Sequence, residues 1–145
     1  MHLIKATEAY LRTAAGDLCA SDLNEFHCMK AGRDPRDVLP EALDENAQAI
    51  VVGSLVLAVG GHTDSGIWFV TTNVVHMLTK AERFHFYRLL KEHLERVKQQ
   101  SPSPKTNWVS VGNHAHIRLL TELGASFAEG ICMSPAGFAF KQFWL

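Results

Sequence analysis

Apolar positions change their period along the chain, and the change divides it into a helical first third and a sheet-forming remainder. Leu3 and Ile4 sit inside a short run, His2 to Thr7, that predicts a first strand. From Glu8 to Leu18 the apolar residues fall at Tyr10, Leu11, Ala14, Ala15 and Leu18, one face of a helix, with Thr7 suited to the N-cap and Gly16 weakening the end. Leu23, Phe26 and Met29 stand three apart and predict a second helix over Ser21 to Met29. Ala31 to Pro40, AGRDPRDVLP, is punctuated by Gly and Pro and reads as a loop, followed by one helical turn from Pro40 to Asn46.

The pattern then shifts to short β-rich runs: Ala47 to Ser54, Leu55 to Gly61 and Ile67 to Thr72. GGHTDSG between the last two has the composition of a hairpin turn, so residues 47 to 72 predict an antiparallel meander. Thr79-Lys80-Ala81-Glu82 is a capping box, in which the hydroxyl and the carboxylate each satisfy the other residue's amide. The helix it opens runs to about Gln100, with Phe84, Tyr87, Leu90, Leu94 and Val97 drawing its apolar stripe, and SPSP ends it. Trp108, Val109 and Val111 predict a strand. Asn113 then caps a helix from His114 to Leu123 that closes at Gly124, and Ser126 to Glu129 and Phe138 to Leu145 supply two last strands. A strand run followed by alternating helices and strands implies an α/β domain with a mostly antiparallel mixed sheet and helices on both faces. At 145 residues the chain has the size of one domain, residues 1–145.

Charge and cysteine content narrow the partners. A formal net charge of -1 supplies no basic field for nucleic acid or an anionic membrane. The longest apolar run, Ala49 to Gly61, is broken by Gly53 and Ser54 and is too short to span a bilayer. Cys19, Cys28 and Cys132 are odd in number and form no CxxC or CxxH pair, which predicts free thiols in a reducing compartment.

Some residues have an ordinary structural use. His114 and His116 lie two apart at a helix start, so they point in different directions and read as exposed polar residues rather than chelators. Asn113 is most simply a cap. His62-Thr63-Asp64-Ser65 brings His, Asp and Ser side by side, but a triad converges from separate segments, so this is a hairpin tip. No metal site is expected. The alternating aromatics of Phe138 to Leu145 read as an edge strand buried under a helix, or else as a docking surface on a partner.

The element order, with Val109-Ser110-Val111-Gly112-Asn113 leading to Gly124 eleven residues later, resembles the GNAT N-acetyltransferase family. Over residues 47 to 129, the glycine-rich hairpin before IWFVTTN, the basic helix with Lys80, Arg83, Arg88 and Lys91, and WVSVGNHAHIRLLTELGASF narrow the likeness. They are similar to the acetyltransferase-like proteins of the small internal-virion and morphogenesis family of short-tailed phages.

The first resemblance implies acetyl-CoA, its pyrophosphate held on backbone amides where glycines open a helix N-terminus. Aligning on Leu89-Leu90 puts Phe84 and Phe86 where those glycines fall. Sliding the helix by one turn offers Leu78, Thr79, Lys80 and Ala81 as the cofactor loop instead, with Asn113 opening the next helix. Leu120 stands where the family carries its general-acid tyrosine, so a base would come from His62, His76 or His116, with Asp64 and His114 as further candidates. The second resemblance implies other phage structural proteins as partners, with a homo-oligomer left open, in the host cytoplasm during assembly and then in the virion. The expectation is therefore a degenerate acetyltransferase fold used in virion assembly. Its alternative is an active acetyl-CoA-dependent N-acetyltransferase with a divergent loop.

Overall fold

The computed structural model describes residues 1–145. Strand β1 (His2–Lys5) is followed by helices α1 (Glu8–Gly16), α2 (Ala20–Met29) and α3 (Pro35–Glu41), then by the meander β2 (Gln48–Val52), β3 (Leu55–His62) and β4 (Ile67–Thr71). A 3-10 turn (Asn73–Met77) leads into α4 (Lys80–Gln100), and β5 (Thr106–Ser110), α5 (His114–Glu122), β6 (Ser126–Phe127), β7 (Cys132–Met133) and β8 (Ala139–Trp144) complete the chain.

The region expected as a loop over Ala31 to Pro40 contains α3. Asp34 caps it, its side chain accepting from the Arg36 amide at 2.9 Å, and Pro35 fills a first-turn position that has no use for an N–H. The punctuation that reads as a loop is a helix start. The stripe of α4 also differs: Phe84 is 66% exposed, and Phe86, Leu94 and Val97 are the residues that face inward. The capping box forms as expected, Thr79 N and Oγ1 both donating to Glu82 Oε2 at 2.8 Å.

Strands β1 to β4 pair antiparallel in the order β1-β2-β3-β4, and β8 stands between β5 and β6 in a second sheet, with β7 also on β8. The C-terminal aromatics thus build a central strand and not an edge, with Phe140 and Phe143 buried. One parallel bridge, Gly66 to Thr106, joins the halves into a mixed sheet. A bulge at Ile50/Val51 lets Val56 and Val59 of β3 face one side while Leu57 and Ala58 face the other. Helices α1 to α3 cover the first side, where Leu11, Ala14, Phe26 and Leu39 pack on Ala49, Val51 and Val59. On the second side α4 places Phe86 on Ile50 and Leu57, and α5 places Leu120 on Val109 and Phe143.

The seam between the half-sheets is stitched at its narrow end. Thr106 N donates to Ser65 O at 2.8 Å and Asn107 Nδ2 to Ile67 O at 2.7 Å. Lys105 is buried beside them, and its ammonium reaches Asp64 O and Ser101 Oγ at 2.9 Å and Ser103 O at 3.0 Å. No carboxylate is among these partners; backbone and hydroxyl oxygens solvate the charge.

Gly60 marks where β4 presses closest on β3. A Cβ there would lie 2.6 Å from Trp68 O and 2.7 Å from Phe69 Cβ, a clash with backbone that no rotamer change relieves. Gly60→Ala is expected to lower stability by roughly 1–3 kcal/mol in urea unfolding. Gly16→Ala, with open space around it, should lose none.

Candidate functional site

Beyond the bridge at Gly66 the pairing between β4 and β5 stops, and the amides facing the opening need other partners. Helix α2 supplies them. Asp22 Oδ2 accepts from Thr71 N at 2.8 Å and from Thr71 Oγ1 at 3.0 Å, and Glu25 Oε1 accepts from Ser110 N at 2.7 Å. Asn113 ties the two acids together, its Nδ2 donating to Asp22 Oδ1 at 3.3 Å and to Glu25 Oε1 at 3.4 Å. Its own Oδ1 accepts from His116 N at 3.2 Å, so the cap of α5 is also the bridge of this cluster.

His116 completes it. Its Nδ1 lies 3.6 Å from Asp22 Oδ1, its ring centroid is 4.7 Å from that of Phe69, and both ring nitrogens are buried without a hydrogen-bond partner. The expectation of an exposed His116 is overturned: the first turn of α5 faces the seam, so position 116 points inward while His114 remains exposed. Two cavities meet at this ring. One, of about 330 Å³, is lined by Glu25, Phe26, Trp68, Trp108 and Phe140. The other, of about 170 Å³, is lined by Cys19, Asp22, Thr71, His76 and Phe86.

The two carboxyls respond oppositely to burial. Burial alone would raise Asp22, but the His116 ring and both Thr71 hydrogen bonds outweigh it and hold this carboxyl below its usual range. Burial raises Glu25 against the pull of His116 and the Ser110 amide, and the charge on Asp22 adds to the rise.

The histidines named from sequence do not converge on one site. His116 and exposed His76 border the same cavity, at the Thr71 end of β4. His62 pairs with Ile67 at the opposite end of that strand, its ring 6.5 Å from His93, and Asp64 lies at the hairpin tip, its carbonyl held by Lys105. Asp22 and Glu25 were absent from the candidates. The signal available was their position on α2, where Asp22 shares a buried face with Phe26 one turn on.

At the start of α4, Leu78 N donates to Val75 O, while Leu78 O accepts from Arg83 Nε at 3.1 Å. Thr79 N is held by Glu82, which puts a carboxylate over the helix N-terminus, beside Lys80 and Ala81. Hydrogen bonds from the Thr79 amide and hydroxyl hold Glu82 below its usual range. These residues fit an anionic cofactor poorly, because a pyrophosphate would have to displace the carboxylate or lie against it. Leu120, where a general acid was sought, is 0% exposed in the core.

Two pH effects follow. Glu25 has a raised folded-state pKa, so its contribution is complete at acid pH and is lost as pH rises through that value. Glu25→Gln keeps a carbonyl for Ser110 N and should melt higher than the unaltered chain at pH 7, with the gap closing toward pH 4 in thermal scans. His93 is pulled down to about 4 by burial, by Arg96 and by His62. The folded state therefore refuses a proton that the unfolded chain takes near pH 6.5. His93→Phe should flatten the fall in melting temperature between pH 6.5 and 4, measured in the same scans.

Solved acetyltransferases share this chain's fold. A GNAT-family acetyltransferase from Bacillus anthracis superposes with a TM-score of 0.67 at 9% identity, covering 98% of this chain and 91% of its own. The ribosomal-protein-S18-alanine N-acetyltransferase of Escherichia coli gives 0.63 at 12% identity, covering 99% and 92%. A Bacillus subtilis acetyltransferase in complex with CoA gives 0.58 at 10%, covering 99% and 95%. At such identities the likeness establishes the fold, a GNAT acetyltransferase fold. Sequence comparison reaches further. The probable scaffold protein gp13 of Escherichia phage T7 is 36% identical over 73 residues, which are 50% of this chain and 52% of that protein. The chain thus spans about half the length of the curated relative it matches. The family model of the bacteriophage T7 probable scaffold protein Gp13 matches residues 46–131, from the meander through α4, β5 and α5. The chain belongs to the family of the bacteriophage T7 probable scaffold protein Gp13.

Proposed function

We propose that this chain serves phage particle assembly through contacts with other phage structural proteins, as a scaffold-type protein or minor virion component, and that its acetyltransferase fold no longer carries acetyl transfer. The family match over residues 46–131 carries the reading, since the relative is described as a probable scaffold protein. Assembly would take place in the host cytoplasm, and no helix of the chain is long and apolar enough to cross a membrane. A net charge of -1 favours protein partners over nucleic acid.

Three features support the loss of chemistry. Glu82 occupies the helix terminus that would hold a pyrophosphate, buried Leu120 replaces the general acid, and the seam amides of Thr71 and Ser110 are taken by Asp22 and Glu25. Exposed apolar side chains support contact-making: Met77 and Phe84 flank the start of α4, and Ile131, Met133 and Phe138 cluster on the β7–β8 hairpin. One observation favours an active N-acetyltransferase instead. The unpartnered His116 ring stands between two cavities, where an imidazole could take a proton from an amine.

Calorimetric titration with acetyl-CoA separates the readings, and no saturable heat is expected. Saturable binding that changes at residues 78 to 86 abolish would overturn the loss of chemistry. In phage lacking the chain, particle yield or infectivity should fall, with copies of the chain present during assembly of the unaltered phage. Normal particles after deletion, together with no copies in assembling particles, would sink the assembly role.

A further inference from the structure

The opening between β4 and β5 is a place where two strands share a sheet but not a ladder. Each strand turns amides into it, and an amide left without a partner in a buried site loses the hydrogen bond that water gave it. At the narrow end Asn107 answers this need for both strands, its Nδ2 donating to Ile67 O and its Oδ1 accepting from Trp108 N at 2.7 Å. At the wide end the answer comes from another helix: Asp22 takes the amide and hydroxyl of Thr71, and Glu25 takes the amide of Ser110. Asn113 locks the two acids to the start of α5, and Cys19 N donates to Thr71 O at 2.9 Å from the residue just before α2. Thr71 is therefore held on both its backbone groups by the α2 segment.

We propose that α2 is a built-in occupant of the β4–β5 cleft, its Asp22 and Glu25 carboxylates standing in for a ligand by taking the strand amides of Thr71 and Ser110. The proposal rests on the reading that the chain works without a cofactor, and it gives that loss a structural agent. A ligand reaching the amides of Thr71 and Ser110 would have to expel two carboxylates, break the Asn113 bridge and leave buried acids unpartnered, so this end of the cleft is closed from within. This differs from the block at α4, where Glu82 is exposed and belongs to the helix it caps.

Amide NMR on the full chain tests it. The amide protons of Thr71 and Ser110 should titrate with the acids they bind, Thr71 following Asp22 below the usual carboxylate range and Ser110 following Glu25 above it. The charged and titratable groups facing these acids are His116 of α5, each acid for the other, and Arg33 beyond α2. In the Asp22→Ala/Glu25→Ala chain both amides should exchange about tenfold faster, while amides of the β2–β3 ladder keep their rates. Should that chain not fold, the titration of the unaltered protein decides alone. Asp22→Asn/Glu25→Gln then adds the loss of both titrations with size preserved.

Millimolar acetyl-CoA added to the unaltered chain should leave both amides unmoved. Amides that ignore the carboxyl titrations, exchange rates unchanged in the alanine chain, or acetyl-CoA shifts centred on Thr71 and Ser110 would each overturn the proposal. Acetyl-CoA binding that leaves both amides untouched would instead count against the loss of cofactor, and the occupied cleft would stand.

Discussion

Two parallel strands that part company leave backbone groups without a ladder partner, and the need to pair them governs this molecule. Strands β4 and β5 separate after one bridge, and Asn107, Asp22 and Glu25 replace the missing ladder with side chains. A buried carboxylate is tolerable only when donors surround it. Here each acid is tied to a strand amide and to Asn113, whose position is fixed in turn by capping α5. Helix α2, strands β4 and β5 and helix α5 are thus held to one another by polar contacts, while the two apolar layers hold each of them to the sheet.

Much of the fold was legible because it rests on neighbours in sequence. The capping box of Thr79 and Glu82, the Asn113 cap and the closing Gly124, with φ of 93°, involve residues at most a few positions apart. The meander was equally plain from its β-rich runs and the turn composition between them. Helix α3 was missed because Pro35 and Asp34 are as good at starting a helix as at making a turn, and composition alone does not separate the two. The stripe of α4 was displaced for a related reason: Phe84 and Phe86 are equally apolar, and only the position of the sheet beneath them decides which is covered. The acids at the seam were beyond local reasoning altogether. Asp22 meets Thr71 across 49 positions and Glu25 meets Ser110 across 85, so nothing near either acid indicates its use. His116 was misjudged with them, since its burial depends on the same distant packing.

The matched family segment, residues 46–131, holds both strands of the opening and the helices on one face, whereas α2 lies outside it. The part that resembles the T7 protein in sequence therefore depends for its completeness on a part that the comparison does not reach. The fold itself, common to this chain and to acetyltransferases at 9–12% identity, is a matter of layers and connections rather than of particular side chains. In this chain the spaces that the architecture leaves are filled by a carboxylate at the helix terminus, a leucine in the core of α5, and two acids in the seam.

Lys105 gives the narrow end of that seam a chemical signature. Its amine is enclosed by oxygens of Asp64, Ser101 and Ser103, and its own backbone is paired on both sides with Leu145. An amine-reactive reagent that modifies the surface lysines has no path to it while hairpin tip, α4 terminus and C-terminal strand stay together. Because the hairpin tip of one half-sheet and the segment leading into the other both close over one nitrogen, the reactivity of a single lysine reports whether the two half-sheets are joined.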